Sequence, residues 1–174
     1  MKDISITRRP FIIGVMGGHR ARRHVLKQAY TLGKEIARCG HVLLTGGGGG
    51  IMEEASKGAY DGEGLVIGIL PSERTHPIEG YPNKYVDIPI YTGMADARNV
   101  INAKTPHVIV ALEGGPGTLS EIALALKSET PVIGLNCPQF GMEDQQNFIT
   151  VKTVEGALRK IEEILPGYQQ PTDR

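Results

Sequence analysis

The amino-acid sequence predicts an α/β fold in which helices cover both faces of one parallel sheet. Short apolar segments alternate with longer segments whose apolar residues recur at helical spacing. Strands that are apolar along their whole length are typical of parallel sheets, because both faces of such a sheet are buried. Glycine-rich loops follow three of the apolar segments. These observations together indicate a single doubly wound, Rossmann-like domain.

The first half of the chain begins with an apolar segment that predicts a buried strand, followed by a long amphipathic helix that Gly40 ends. Five consecutive glycines, Gly46–Gly50, then separate the second strand from the second helix. In order, the predicted elements are a strand at 11–15, a helix at 22–39, strands at 41–45 and 65–70 flanking a helix at 51–60, a loop at 71–83 and a strand at 85–90.

The second half repeats the alternation of apolar strand and helix. A second glycine loop, Glu113–Gly117, lies between a strand and a helix, and the last helix is amphipathic. In order, the predicted elements are a helix at 95–104, a strand at 107–112, a helix at 118–128, strands at 131–135 and 148–151, a helix at 153–165 and a loose tail at 166–174.

Length and composition indicate one domain over residues 1–174, with its core at about 11–165. Lysine and arginine balance aspartate and glutamate at 19 each, so bulk charge gives no support for nucleic acid as a partner. We find no segment long and apolar enough for a signal peptide or membrane span. Cys39 and Cys137 lack metal-binding spacing, as do the five histidines. We therefore expect a cytoplasmic protein with no bound metal of its own, no nucleic acid partner and no membrane contact.

Three glycine loops are expected at the carboxyl edge of the sheet, at 16–20, 45–50 and 113–118. Each joins a predicted strand to a predicted helix, and ligands of doubly wound sheets bind beyond this edge. Exposed backbone N–H groups beside a helix N-terminus bind anions, and glycine lets a phosphate approach the main chain. A tight turn would also require glycine in each loop. Three such loops at one edge favour a phosphate or similar oxyanion as ligand.

The common nucleotide-binding motifs are absent from this sequence. There is no GxxxxGK[ST] segment, and Gly14, Gly17 and Gly18 do not form GxGxxG. The strand at 41–45 does not end in the acidic residue that would hold a ribose. The sequence therefore does not predict an NAD enzyme.

Glu121 has two possible roles. Thr118 and Glu121 have the spacing of a capping box, in which the glutamate caps its own helix. Alternatively, Glu121 faces the ligand over the glycine loop, with Arg98 from the preceding helix as its partner. A carboxylate beside a guanidinium suits proton transfer or stabilisation of positive charge at a sugar carbon. The cationic cluster from His19 to His24 is either a solvated helix start or a second anion contact.

The motifs together resemble those of the LOG-like superfamily, whose members are often mislabelled lysine decarboxylases. TGGGGGIMEEA resembles its GGGxxGLM segment, with Thr45 in place of the first glycine. EGGPGTLSE resembles PGGxGTxxE, and GMADARN occupies the place of MHxRK, with Arg98 at its arginine. Matching positions within the first segment are Gly46, Gly47, Gly50, Ile51 and Met52. The resemblance spans about 11–135.

Two branches of the superfamily imply different functions. One contains phosphoribohydrolases that cleave the N-glycosidic bond of cytokinin nucleoside 5′-monophosphates with the motif glutamate and arginine. The other contains molybdenum cofactor carrier proteins, which bind a phosphorylated pterin cofactor. Asn99 in place of lysine and Glu113 in place of proline separate this chain from the hydrolases, and its motif combination is more similar to the carriers.

The resemblance implies a homo-oligomer, a dimer or a tetramer, that binds molybdenum cofactor as cargo. Glu121 and Arg98 would be catalytic only in a hydrolase, and Met52 is also expected to pack in the core. The implied ligand-binding residues are Gly17, Gly18, Thr45, Gly46, Gly47, Gly50, Met52, Arg98, Asn99, Gly114, Gly115, Gly117, Thr118 and Glu121.

Overall fold

A computed structural model describes residues 10–137, 141 and 146–168. Within these residues, strands and helices alternate along the chain as the sequence predicts. The elements are β1 (Ile12–Met16), α1 (Arg23–Arg38), β2 (Val42–Thr45), α2 (Ile51–Asp61), β3 (Val66–Leu70), β4 (Ile88–Tyr91), α3 (Asn99–Lys104), β5 (Val108–Ala111), α4 (Pro116–Lys127), β6 (Val132–Leu135), β7 (Phe148–Val151) and α5 (Val154–Ile164).

The sheet has the strand order β4-β3-β2-β1-β5-β6-β7, and every neighbouring pair is parallel. The chain runs outward from β1 to β4 and then returns to place β5 on the other side of β1. The loops after β1 and β5 therefore leave the sheet in opposite directions. In doubly wound folds this point of divergence is where ligands bind.

Helices cover both faces of the sheet, which confirms the predicted α/β class. Residues along each strand alternate between the two faces, so Ile13 and Val15 pack under α1, α2 and α5. Ile109 and Ala111 pack on the opposite face, under α3 and α4. Because both faces are buried, the central strands are apolar throughout, which is the pattern that the sequence showed. Among the described residues, no helix combines the length and apolarity needed to cross a bilayer.

Strand β4 begins three residues later than predicted. The segment before it is a polar connection, because Asn83 accepts a hydrogen bond from Tyr85 N–H at 3.1 Å. The Asp87 carboxylate accepts another from Val66 N–H at 3.0 Å. These bonds hold residues 83–87 outside the strand, although their alternating side chains resemble one.

The predicted helix at 95–104 is two elements. Residues Ala95–Arg98 form a 3₁₀ turn, and α3 follows without a break. Ala95 has a positive φ of 47°, and Ala97 N–H bonds back to Met94 O at 2.9 Å. Arg98 is the last residue of this 3₁₀ turn. The helical periodicity of the sequence gave no sign of the turn.

The tail is ordered at its start, where we expected it to be loose. Residues Leu165–Gly167 form a 3₁₀ turn, and the Tyr168 hydroxyl donates to the His107 carbonyl at 2.6 Å. The Tyr168 and His107 rings also meet edge to face at 5.1 Å. These contacts attach the end of α5 to the start of β5. Residues 169–174 lie outside the described residues.

Candidate functional site

A cavity of about 310 Å³ lies where the loops after β1 and β5 diverge, and we call it the switch-point cavity. Its volume is within the range of small-molecule sites. Nine of the residues implied by the sequence motifs line it, from four separate segments of the chain. Its lining residues are Met16, Gly17, Gly18, His19, Met52, Tyr81, Asp96, Arg98, Asn99, Gly115, Pro116, Gly117, Thr118 and Glu121.

Glu113 joins the two loops that form the mouth of this cavity. Gly18 N–H donates to the Glu113 carbonyl at 2.9 Å. The Glu113 carboxylate accepts from the Arg22 side chain at 3.1 Å and from Arg22 N–H at 3.3 Å. Burial opposes ionisation, but these hydrogen bonds and the charge of Arg22 lower the pKa of the Glu113 carboxyl. Glu113 stands where the LOG-like motif has proline, and its carboxylate thus adds a side-chain link between the β5 loop and the segment that follows the β1 loop.

The N-terminus of α4 opens into the cavity. Gly115 precedes its first turn, and Leu119 N–H is bonded back to the Gly115 carbonyl at 3.0 Å. The N–H groups of Gly117 and Thr118 lie in the first turn, where helices offer no internal acceptors. A Cβ added at Gly115 or Gly117 would meet no atom within 4 Å. The glycines therefore leave open space beside the positive end of a helix dipole.

Arg98 supplies a buried positive charge to the same cavity. The residue is only 8% exposed, and its guanidinium donates to the carbonyls of Gly46 and Ile69. Gly46 directly follows β2, and Ile69 lies near the end of β3. The side chain therefore contacts the carboxyl ends of both strands. Among the described residues, no carboxylate lies within ion-pair distance of it. An anionic ligand would therefore meet a cation that is hydrogen-bonded to neutral carbonyls, and on which the carboxyl of Glu121 acts without a direct ion pair.

Glu121 is the buried carboxyl of the cavity. It is 7% exposed, and it accepts a hydrogen bond from Asn102 Nδ2 at 2.7 Å. Burial raises its pKa to about 7, although the Asn102 hydrogen bond and the charge of Arg98 oppose the rise. Because α4 begins at Pro116, Glu121 lies in the second turn and does not cap the helix. The capping-box alternative is wrong, and Glu121 faces the cavity.

Two parallel hydrogen bonds fasten α3 to α4 beneath the cavity. Asn99 Nδ2 donates to Ser120 Oγ at 2.8 Å, and Asn102, one turn later on α3, donates to the neighbouring Glu121. Ser120 in turn donates to the Gly117 carbonyl at 2.7 Å. Asn99, which stands where the hydrolase motif has lysine, therefore orients the first turn of α4 and adds no charge.

The five-glycine run mainly serves contacts within the protein. A Cβ at Gly46 would lie 3.0 Å from an Arg98 guanidinium nitrogen and 2.9 Å from Met52 sulfur. At Gly50, where φ is 67°, a Cβ would lie 2.3 Å from the His19 carbonyl oxygen. The run thus lets Arg98 and the β1 loop approach the backbone. Five implied residues support the walls of the cavity without lining it: Thr45, Gly46, Gly47, Gly50 and Gly114.

Sequence motifs did not identify His19 and Tyr81 as a pair. The structure joins them by a 2.7 Å hydrogen bond between Tyr81 Oη and His19 Nε2. His19 belongs to the cationic cluster for which we left two roles open, and His24 from that cluster does not line the cavity. Tyr81 lies in the irregular loop at 71–83, which has no periodicity that could place it.

Comparisons with known proteins agree with this fold. The model of the SLOG cluster4 family matches residues 10–164. The molybdenum cofactor binding protein from the phototrophic bacterium Rippkaea orientalis is 44% identical, with a TM-score of 0.82 over 91% of this chain and 99% of that one. The molybdenum cofactor carrier protein from Chlamydomonas reinhardtii is 40% identical, with a TM-score of 0.80 over 91% and 99%.

A relative from Archaeoglobus fulgidus without an assigned function is 42% identical over 126 residues, which are 72% of this chain and 80% of its own. The family match extends from before β1 to the last residue of α5. It therefore includes every segment that lines the switch-point cavity, and this chain belongs to the SLOG cluster4 family.

Proposed function

We propose that this protein binds a phosphorylated, nucleotide-like small molecule in the switch-point cavity, and that its cargo is the molybdenum cofactor. One observation carries the proposal: the buried Arg98 guanidinium, without a carboxylate partner among the described residues, lines the same cavity as the open N-terminus of α4. Two sources of positive potential in one cavity favour an anion.

The phosphate would lie against the first turn of α4. The N–H groups of Gly117 and Thr118 donate to its oxygens, and the Thr118 hydroxyl is available as a further donor. Because Gly115 and Gly117 have no side chains, phosphate oxygens can approach the backbone closely. Arg98 adds a charge-assisted interaction, which is stronger than one between neutral groups.

The choice of molybdenum cofactor as cargo rests on the relatives. Two structures with at least 40% identity over nearly their whole length are described as binding or carrying this cofactor. The cofactor is a phosphorylated pterin, so its phosphate suits the end of the cavity at α4. In this role the protein releases its ligand unchanged and requires no catalytic group.

The test is binding of molybdenum cofactor isolated from a molybdoenzyme, measured anaerobically with wild-type protein and with Arg98→Glu. We expect the wild type to bind and the variant to lose binding at least a hundredfold, because the substitution replaces an attraction with a repulsion. Lys104→Glu, on α3 and outside the cavity lining, is the control for net charge. Equal binding by wild type and Arg98→Glu, with circular dichroism unchanged, would contradict the assignment.

A second candidate function follows from Glu121. A carboxyl with a pKa of about 7 that lines a cavity is suited to acid–base catalysis near neutral pH. In a nucleoside 5′-monophosphate phosphoribohydrolase, water would attack the anomeric carbon as the bond to the base nitrogen breaks. Glu121 would stabilise the developing positive charge or accept a proton from the water.

Incubation with AMP and with N6-isopentenyl-AMP distinguishes the enzyme from the carrier. Chromatography would show free base if the protein is a hydrolase, and Glu121→Gln would abolish its release. No free base from the wild type would eliminate the hydrolase and leave binding as the function.

We also propose that the chain forms homo-oligomers, a dimer or a tetramer. Support comes from large apolar side chains that are exposed in the isolated chain. They are Ile88 and Ile90, which share one face of the edge strand β4, Met94 in the segment after β4, and Val100 on α3, each between 39% and 45% exposed. Large apolar side chains exposed together on an edge strand are typical of subunit contacts. Sedimentation of wild type against an Ile88→Glu/Ile90→Glu variant tests this proposal. Location in the cytoplasm and the lack of a nucleic acid partner stay predictions.

A further inference from the structure

Tyr81 and His19 form an aromatic wall of the switch-point cavity. A 2.7 Å hydrogen bond joins the Tyr81 hydroxyl to His19 Nε2. Their rings meet edge to face, with centroids 5.6 Å apart and planes at 78°. The hydrogen bond and the ring contact together restrain the orientation of both rings.

Tyr81 is also held by two other parts of the fold. Two residues later, Asn83 N–H donates to the Gly47 carbonyl at 2.7 Å, and Asn83 Nδ2 donates to the Gly48 carbonyl at 2.9 Å. The Arg98 guanidinium lies 5.3 Å from the centre of the Tyr81 ring. The loop is therefore irregular along most of its length but is anchored where it presents Tyr81 to the cavity.

The cavity is larger than a phosphate group requires, and its lining differs in character from one segment to another. Gly117 and Thr118 contribute the start of a helix to the lining, whereas Tyr81 and His19 are its aromatic residues. Aromatic side chains bind planar heterocycles by stacking, and a neighbouring guanidinium strengthens such contacts. The protein has only nine tyrosine and phenylalanine residues, and one of them lies here beside the Arg98 guanidinium.

We propose that Tyr81 is the residue that selects a planar heterocycle on the ligand, while His19 positions the Tyr81 ring. This inference rests on the proposed function, because it assumes that the phosphate of the same ligand lies at the N-terminus of α4. The phosphate then supplies attraction common to all phosphate monoesters. The aromatic wall distinguishes those monoesters that carry a ring.

The experiment compares three phosphate monoesters by calorimetric titration: AMP, 6-hydroxymethylpterin monophosphate and ribose 5-phosphate. Ribose 5-phosphate matches AMP except that it lacks the base. We expect at least one ring-bearing ester to bind the wild type ten times or more tightly than ribose 5-phosphate. Tyr81→Ala should remove this preference, so that the ring-bearing esters and ribose 5-phosphate bind the variant with similar affinity.

Two further variants separate stacking from positioning. Tyr81→Phe keeps the ring and loses the bond to His19, so most of the preference should remain. His19→Ala should reduce the preference, and a purely structural defect would instead weaken all three esters equally. Thermal melts of every variant verify that the fold persists.

The outcomes distinguish this inference from the function on which it rests. If none of the three esters binds the wild type, binding of phosphorylated nucleotide-like ligands is wrong. If ribose 5-phosphate binds as tightly as the ring-bearing esters, or if Tyr81→Ala keeps the preference, selection by Tyr81 is wrong while phosphate binding stands.

Discussion

Replacing Glu121 with glutamine should change how stability depends on pH. Burial raises the pKa of this carboxyl from 4.5 to about 7 in the folded protein. The folded state therefore holds the proton more tightly than the unfolded chain does. Its contribution to stability is fully present below pH 4.5, is lost as the pH rises through 7, and stays lost above that.

The size of the effect follows from the shift in pKa. Each pKa unit corresponds to roughly 1.4 kcal/mol, so the shift at Glu121 corresponds to about 3 kcal/mol. Glutamine is neutral at every pH and can still accept the hydrogen bond that Asn102 donates to Glu121. Glu121→Gln should therefore match the wild type near pH 4.5 and exceed its free energy of unfolding by about 3 kcal/mol at pH 8.

Urea denaturation at pH 5, 6, 7 and 8 measures this difference at one fixed protein concentration, because self-association would also affect the midpoint. Subtracting the wild-type curve from the variant curve cancels the titration of all other groups. Glu162→Gln, at an exposed position of α5, is the matched control for replacing a carboxylate with an amide. A difference for Glu121→Gln that does not change with pH would refute the inference that burial destabilises the charged form of Glu121.

Three other substitutions test the roles assigned to two glycines and to the start of the tail. Gly117→Ala adds a methyl group where no protein atom lies within 4 Å, so the melting temperature should stay within about 2 °C of the wild type while affinity for phosphate monoesters falls about tenfold. Gly46→Ala should instead lower the melting temperature by 5 °C or more, because its Cβ would crowd Arg98 and Met52. Equal melting temperatures for the two variants would contradict this division between an open and a supporting glycine. Tyr168→Phe removes the hydrogen bond to the His107 carbonyl and should lower the free energy of unfolding by about 1 kcal/mol in urea. No loss would mean that the bond does not persist in solution.

The parallel sheet could be predicted because its strands are buried on both faces. Ile13, Leu43 and Ile109 belong to runs without polar interruption, and a glycine follows each run within two residues of its end. Glycine loops at the carboxyl edge then predicted where a ligand would approach. The boundaries of β4 and of the helix at 95–104 could not be predicted, since side-chain hydrogen bonds and the positive φ of Ala95 decide them.

The glycine loop of the candidate site was predictable because local sequence determines its position. Gly115, Gly117 and Thr118 begin a helix directly after a strand, so their place follows from the fold. Tyr81 depends on hydrogen bonds from Asn83 to a glycine run about 35 residues away in sequence. Long-range contacts of that kind leave no periodic pattern, so motif analysis did not identify the aromatic wall.

The carbonyl groups that bind Arg98 have a consequence for the kinetics of ligand capture. An arginine side chain ordinarily loses much rotamer freedom when it engages an anion. Here the carbonyls of Gly46 and Ile69 already hold the guanidinium in the cavity wall. Preorganisation of this kind lowers the entropic cost of association. We therefore expect association to proceed without rearrangement of this residue, so that differences in affinity between ligands arise chiefly from how slowly they dissociate.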